Sequence, residues 1–231
     1  MNSLFSKLTA SALDLLFPLQ CLGCQREGNL LCAQCRDELD KLNPPFCTVC
    51  AQPSPRSLCN WCRRTPLAID GIRAPYLMQG PIREAIHSLK YRSVRAIAPE
   101  LAQLLAQYIT RHPITGDLLV PVPLHSRRLR SRGYNQSALL ARELGKLTGL
   151  PVDERLAFRT RDAPPQVHAA SREQRRSNVE DSFQCNDSLT GESVILVDDV
   201  VTTGSTLSAC ATALKDAGAA SVWGLTVARE V

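Results

Sequence analysis

Residues 194–206 read Val-Ile-Leu-Val-Asp-Asp-Val-Val-Thr-Thr-Gly-Ser-Thr, and this stretch decides the fold. Val194, Ile195, Leu196 and Val197 are an unbroken, mostly β-branched run, as a strand covered on both faces requires. Asp198 and Asp199 come where that strand is expected to leave the sheet. Thr202, Thr203, Gly204, Ser205 and Thr206 follow as a small, hydroxyl-rich turn. A helical pattern over 207–217 is closed by Gly218, and a second apolar strand over 221–227 completes a strand–loop–helix–strand unit. In such units ligands bind beyond the carboxyl ends of the strands.

The loop's chemistry narrows the ligand. Backbone N–H groups at a helix start form a concave anion site favoured by the helix dipole. Gly204 permits a tight turn and close approach of a phosphate, and four hydroxyls add donors. Two adjacent carboxylates repel an anion, so they must face sugar hydroxyls or a divalent cation. A ribose phosphate satisfies both halves. A Walker A loop needs a lysine after its glycine, and none follows Gly204; a dinucleotide fingerprint needs more glycines. A Walker B strand also ends in acids but has no reason to continue into hydroxyls. A plain N-cap explains one acid and not the rest.

The 231 residues suffice for one α/β domain and a small appendage. Net charge is +5 and the pI about 8.7, compatible with phosphate ligands or nucleic acid. No segment approaches the ~18 apolar residues of a membrane span. Leu4, Phe5, Leu8, Leu13, Leu16 and Phe17 read as a short amphipathic helix rather than a signal peptide. The expected location is cytoplasmic.

Eight of ten cysteines precede residue 63, as Cys21-x2-Cys24, Cys32-x2-Cys35, Cys47-x2-Cys50 and Cys59-x2-Cys62. In a reducing compartment this density argues for metal over disulfides. Two knuckles make one tetrahedral thiolate site, so four make two structural zinc sites. Pairing in sequence and crossed pairing both satisfy the spacing. With every position a cysteine, no coordination place is left open for catalysis. So short a segment needs metal to fold. Arg63, Arg64 and Trp61 suit either a nucleic-acid surface or a solvated pair beside a packed indole. Thr65-Pro66 marks the expected boundary, giving a double ribbon over 1–65 and a second domain over 66–231.

In the second domain, 67–78 reads as strand material with a hairpin turned at Asp70-Gly71. Helices are expected over 81–89, where His87 reads as a surface or packing residue rather than a catalyst, and over 97–108. A strand over 117–120 runs into Pro121-Val122-Pro123-Leu124. Next comes a basic loop with Arg127, Arg128, Arg130 and Arg132, then a helix over 136–147. The loop reads as a second anion site opposite the first, or as a solvated basic surface. A strand ends over 158–161. The polar stretch 162–181 has the length of a functional lid or of a disordered segment.

The Asp198–Thr206 stretch resembles the phosphoribosyl pyrophosphate (PRPP) motif of type I phosphoribosyltransferases. The whole chain resembles the ComF (competence protein F) family, which joins a double zinc ribbon to a phosphoribosyltransferase-like domain. The resemblance implies a parallel sheet flanked by helices. It implies that Asp198 and Asp199 hold the ribose hydroxyls, with Val200, Val201 and Thr202–Thr206 around the 5′-phosphate of PRPP and magnesium bound alongside. Arg132, Tyr134, Asn135 and Gln136 match the family's pyrophosphate loop. Gln166, Arg175, Asn178 and Phe183 match its lid pattern, with Ala169 where relatives commonly have Leu. The acceptor would be chosen by a hood built from 67–92. Two functional classes follow. One is an enzyme that transfers phosphoribosyl to an acceptor, with no side-chain nucleophile needed. The other is a PRPP- or nucleotide-binding adaptor without turnover. The family implies handling of imported single-stranded DNA, with the ribbons as a docking surface for DNA or DNA-uptake proteins.

Overall fold

The computed structural model describes residues 19–160 and 183–231. The expected N-terminal helix and the 162–181 lid with Gln166, Arg175 and Asn178 lie outside them. Each Cys-x2-Cys pair at 32–35 and 59–62 opens a short helix, α1 (Ala33–Asp37) and α2 (Asn60–Arg64). Then follow β1 (Gly71–Arg73), β2 (Tyr76–Leu77), α3 (Gly80–Tyr91) and α4 (Ala98–Arg111). After them come β3 (Leu118–Pro121), α5 (Ser126–Arg132), α6 (Gln136–Thr148) and β4 (Ala157–Arg159). The chain closes with β5 (Phe183–Cys185), β6 (Ser193–Val201), α7 (Ser205–Asp216) and β7 (Ser221–Arg229).

The main sheet runs β1-β7-β6-β3, with β2 also on β7, and every pairing in it is parallel. Both faces of β6 are covered. Ile195 and Val197 point into a core with α3, α4 and α6, and Val194 and Leu196 into a second core with α7 and β5. That is why its apolar run has no polar alternation. Pro81 and Pro99 sit in the first turns of α3 and α4, where a missing N–H costs nothing. β4 and β5 form a separate antiparallel pair under α7.

Three expectations are corrected. Asp70-Gly71 turns no hairpin: β1 and β2 both lie parallel to β7. A Cβ on Gly71 would stand 2.4 Å from Trp223, so glycine is there for the indole of the neighbouring strand. Asp70 instead accepts from the Val222 N–H (2.6 Å) and pairs with Lys215 (2.8 Å). The basic loop is a helix, α5, started by His125, whose Nδ1 accepts from the Arg127 N–H, and ended by Gly133 in the left-handed region (φ 77°). The strand expected to end before the acids runs through them to Val201. The segment expected to form a hood therefore gives its first part, 71–77, to the sheet edge.

Candidate functional site

The site lies at the carboxyl ends of β6 and β3. β6 carries Asp198 and Asp199 in adjacent positions. Asp198 Oδ1 accepts from Ser137 Oγ of α6 (2.7 Å) and from the Asp199 N–H (2.9 Å). Asp199 Oδ1 meets Lys90 Nζ of α3 at 2.7 Å. Asp199 is buried, with 4% of its side chain exposed, and its Oδ2 has no hydrogen-bond partner among the described residues. A buried, half-satisfied carboxylate is a costly feature that a bound hydroxyl or cation would relieve. Burial, then the charge of Asp199, pushes the Asp198 carboxyl up to about 7, against the opposing pull of Ser137 and Lys90. Asp198 keeps part of its surface open to solvent, so a ligand can reach it.

Beyond Val201 the loop turns at Gly204 (φ 83°) and enters α7, whose start has no side-chain cap. The Ser205 N–H donates to Thr203 Oγ1 (3.3 Å); the next first-turn N–H groups and the helix dipole together suit an anion. Thr203 Oγ1 and Ser205 Oγ are 2.9 Å apart and brace the turn, while Thr202 and Thr206 are exposed. The glycine has a second reason besides its φ. A Cβ there would press on Ile72 (3.0 Å) and Leu67 (3.1 Å), so the loop's back is packed against β1.

Two clefts flank this loop. One of about 730 Å³ is lined by His125, Arg127, Arg128, Arg132, Arg159 and Thr206 among others. The other, of about 540 Å³, is lined by Arg83, His87, Val200, Thr202 and Glu230 among others, and Lys90 and Tyr91 border both. Of the expected pyrophosphate group, Arg132 faces the first cleft, bonding Gln136 Oε1 and lying 5.3 Å over the Tyr91 ring. The others are engaged inward. The Tyr134 hydroxyl donates to the Leu89 carbonyl of α3, beneath Arg95 at 4.3 Å. Asn135 caps α6 through the Ser137 N–H (3.0 Å) and donates to the Val122 carbonyl beyond β3 (3.0 Å). Gln136 is buried. Tyr134 and Asn135 thus fix the last turn of α3 and the first of α6, which carry Lys90 and Ser137 to the acids. Arg175 lies outside the described residues. Lys90 was missed by the sequence reading. Its only signal is helical spacing, Arg83-His87-Lys90/Tyr91 along one face.

The cysteines form two groups, Cys21/Cys24/Cys32/Cys35 and Cys47/Cys50/Cys59/Cys62, each with sulfurs within 4.8 Å of one another. Pairing is therefore in sequence, not crossed. Cys24 and Cys32 sulfurs are 3.6 Å apart and those of Cys50 and Cys59 3.7 Å. A tetrahedron with Zn–S bonds of about 2.3 Å has edges of about 3.8 Å, so the residues fit zinc. Without it the thiols are unequal. Burial opposes ionisation of Cys21, yet the N–H groups of Cys32, Cys24 and Gly23 bring it down to about 6, while burial drives Cys35 up. The second group is buried throughout, whereas Cys24 is exposed.

The ribbons are bonded into the body. Ile72 N–H donates to Val49 O (2.7 Å), Leu42 N–H to Pro75 O (2.8 Å) and Arg36 pairs with Glu100 (3.0 Å). Arg229, at the end of β7, is buried and donates to the Cys50 carbonyl (2.9 Å) and to Gln52. Trp61 packs on the second cysteine group, leaving Arg63 and Arg64 exposed beside it. Among the described residues no helix is long and apolar enough to cross a membrane.

Comparison with known proteins agrees with this architecture. A family model described as a double zinc ribbon domain matches residues 12–66, and one described as a phosphoribosyl transferase domain matches 91–229. The chain is 34% identical to the DNA utilization protein YhgH of Salmonella typhi over 185 residues, 77% of this chain and 81% of that one. It is 29% identical to the competence protein ComFC of Bacillus subtilis, covering 86% of this chain and 84% of the relative. With competence protein F of Haemophilus influenzae the identity is 28%, over 90% and 97%. A two-ribbon segment with four-cysteine groups, docked on a parallel sheet whose strand ends carry an acid pair and a hydroxyl loop, places this chain in the ComF family of phosphoribosyltransferase-like proteins.

Proposed function

We propose that this protein binds PRPP, or a closely related ribose phosphate, at the end of β6 and works in the use of DNA taken up by the cell. The observation that carries the first half is the Asp199 carboxylate, buried with one oxygen unpartnered, beside an uncapped helix start. Asp198 and Asp199 would take the ribose hydroxyls, residues 202–206 the 5′-phosphate, and the arginines of α5 the diphosphate. Magnesium enters with PRPP, whose charge calls for it. The second half rests on the names of the relatives, a DNA utilization protein and two competence proteins. Action on imported DNA or with DNA-uptake proteins belongs in the cytoplasm. Arg63 and Arg64, exposed beside the packed Trp61, offer such a partner a basic edge.

As an enzyme, the protein would work by positioning and charge neutralisation. The loop orients the sugar, and the α5 arginines hold the diphosphate as its charge grows. One observation favours a second reading, a PRPP-binding adaptor without turnover: Lys90 already neutralises Asp199.

Calorimetry on the full, zinc-loaded chain tests the site. Magnesium-dependent PRPP binding is expected, falling at least tenfold in Asp198→Asn/Asp199→Asn; equal affinity in both proteins refutes the assignment. Diphosphate release over a panel of bases, nucleotides and amines separates enzyme from adaptor, and silence despite PRPP binding selects the adaptor. DNA docking predicts that single-stranded DNA binds the full chain with steep salt dependence, weakened by Arg63→Gln/Arg64→Gln. Salt-indifferent binding, or none, removes that role.

A further inference from the structure

The two clefts beside the phosphate loop share Lys90 and Tyr91 as their dividing wall but carry opposite kinds of lining. The α5 cleft is cationic: Arg127 and Arg128 are exposed there, with Arg132 and Arg159. The other cleft, between α3 and the end of β7, is mixed. Arg83 and His87 stand one turn apart on α3, and the Arg83 guanidinium has no side-chain partner among the described residues. Glu230, exposed, enters from the strand end, where its N–H donates to the Val201 carbonyl (2.9 Å). The rings of His87 and Tyr91 lie 4.8 Å apart, and Tyr91 is 67% exposed. Val200 and Thr202 of the phosphate loop border this cleft too.

We propose that this second cleft receives the acceptor, and that the acceptor is an amino-bearing nucleoside monophosphate. The inference rests on the ribose-phosphate reading of the loop and deepens it. Displacement at an anomeric carbon needs the incoming and leaving groups on opposite sides of the sugar. The loop between the two clefts meets that need, with diphosphate on the arginine side. The exposed Tyr91 ring, with His87 tilted 48° beside it, offers one aromatic face to a planar ring. Glu230 is an acceptor for an amino edge and Arg83 a donor for an anion. One helical turn, about 5.4 Å, separates Arg83 from His87. That spacing suits an anion several bonds from the ring, as a 5′-phosphate is, better than a carboxylate attached directly to it. In the transfer, the amino nitrogen's lone pair forms the new C–N bond. The C–O bond to diphosphate breaks, its electron pair leaving with diphosphate, and the nitrogen's proton passes to the Glu230 carboxylate.

Calorimetry with the full, zinc-loaded chain and without PRPP tests the cleft separately from the loop. The probes are CMP, UMP, cytidine and 2-aminobenzoate. CMP is expected to bind at least tenfold more tightly than cytidine and several-fold more tightly than UMP. Arg83→Met should erase the first preference and Glu230→Met the second, each with an unchanged melting temperature because both side chains are exposed. Equal affinity for CMP and cytidine, preferences that survive these substitutions, tighter binding of 2-aminobenzoate, or no binding of any probe with or without PRPP overturns the proposal. If PRPP fails to bind while CMP shows both preferences, the loop assignment falls and a nucleotide site on α3 stands. Retained PRPP binding with CMP indifferent to Arg83 is the converse.

Discussion

Asp198 is the carboxylate whose titration the fold visibly shifts upward. Its carboxyl titrates near 3.8 when free and near 7 in the folded chain, chiefly because it is buried. Between those values the folded state holds a proton that the unfolded state has lost. The free chain therefore loses stability as pH rises from about 4 to about 7 and does not regain it above. Asp198→Asn keeps the acceptor for Ser137 and discards the charge. It is expected to raise the melting temperature at pH 8, by a stability gain on the order of 1–3 kcal/mol, and to change little at pH 4. Thermal scans at the two pH values check this, and an equal shift at both refutes it. Gly204→Ala is expected to destabilise by about 1–3 kcal/mol, since its φ of 83° and its contacts with Ile72 and Leu67 leave no room for a methyl. The sequence marked both residues, but for their ligand. That Asp198 is held by Ser137, and that Gly204 also serves packing, came from partners far along the chain.

At the scale of elements, α5 shows where local pattern misled. Arginines and serines without an apolar stripe read as loop. A histidine cap and a left-handed Gly133 nevertheless make seven residues helical, and this sets Arg128 and Arg132 one turn apart along the cleft. Arg127 and Arg128 are exposed, so their removal should leave the fold intact. Arg127→Gln/Arg128→Gln is expected to weaken binding of inorganic diphosphate at least tenfold, since each charge-assisted bond contributes roughly 1.5–3 kcal/mol. Calorimetry reads the affinity and a thermal scan the stability. α3 depends on a support from elsewhere: the Tyr134 hydroxyl holds the Leu89 carbonyl next to Lys90. Tyr134→Phe should cost about 1 kcal/mol of stability and weaken PRPP binding through the displaced lysine. A variant with full PRPP affinity would mean that Lys90 is held without it.

For the whole molecule, the ribbons and the sheet share one set of bonds, so the boundary expected at 65/66 would divide motifs in sequence without separating them in packing. We expect the two metals to differ. With a chelator, the group containing exposed Cys24 should release zinc first, and the buried group, tied to β1 and β7, only as the body melts. Arg229→Met removes the guanidinium that faces the Cys50 carbonyl and should speed release of the second zinc. It should also destabilise by about 1–3 kcal/mol, as the Cys50 carbonyl and Gln52 oxygen left without their donor would cost. Release measured with a zinc-responsive dye alongside a thermal scan tests this, and simultaneous loss of both metals at low chelator would refute it. The zinc knuckles, the buried parallel strand, the acid pair and the hydroxyl loop are all legible in residue order alone. Each is fixed by spacings of a few residues, through thiolate geometry, strand pleat or helix pitch. Only the tertiary structure decided that Lys90 meets Asp199, that Arg229 braces a cysteine group and that 71–77 joins the sheet instead of turning a hairpin. Those partners are more than a hundred residues apart, and their meeting depends on how burial and strand pairing resolve globally, which no local period records.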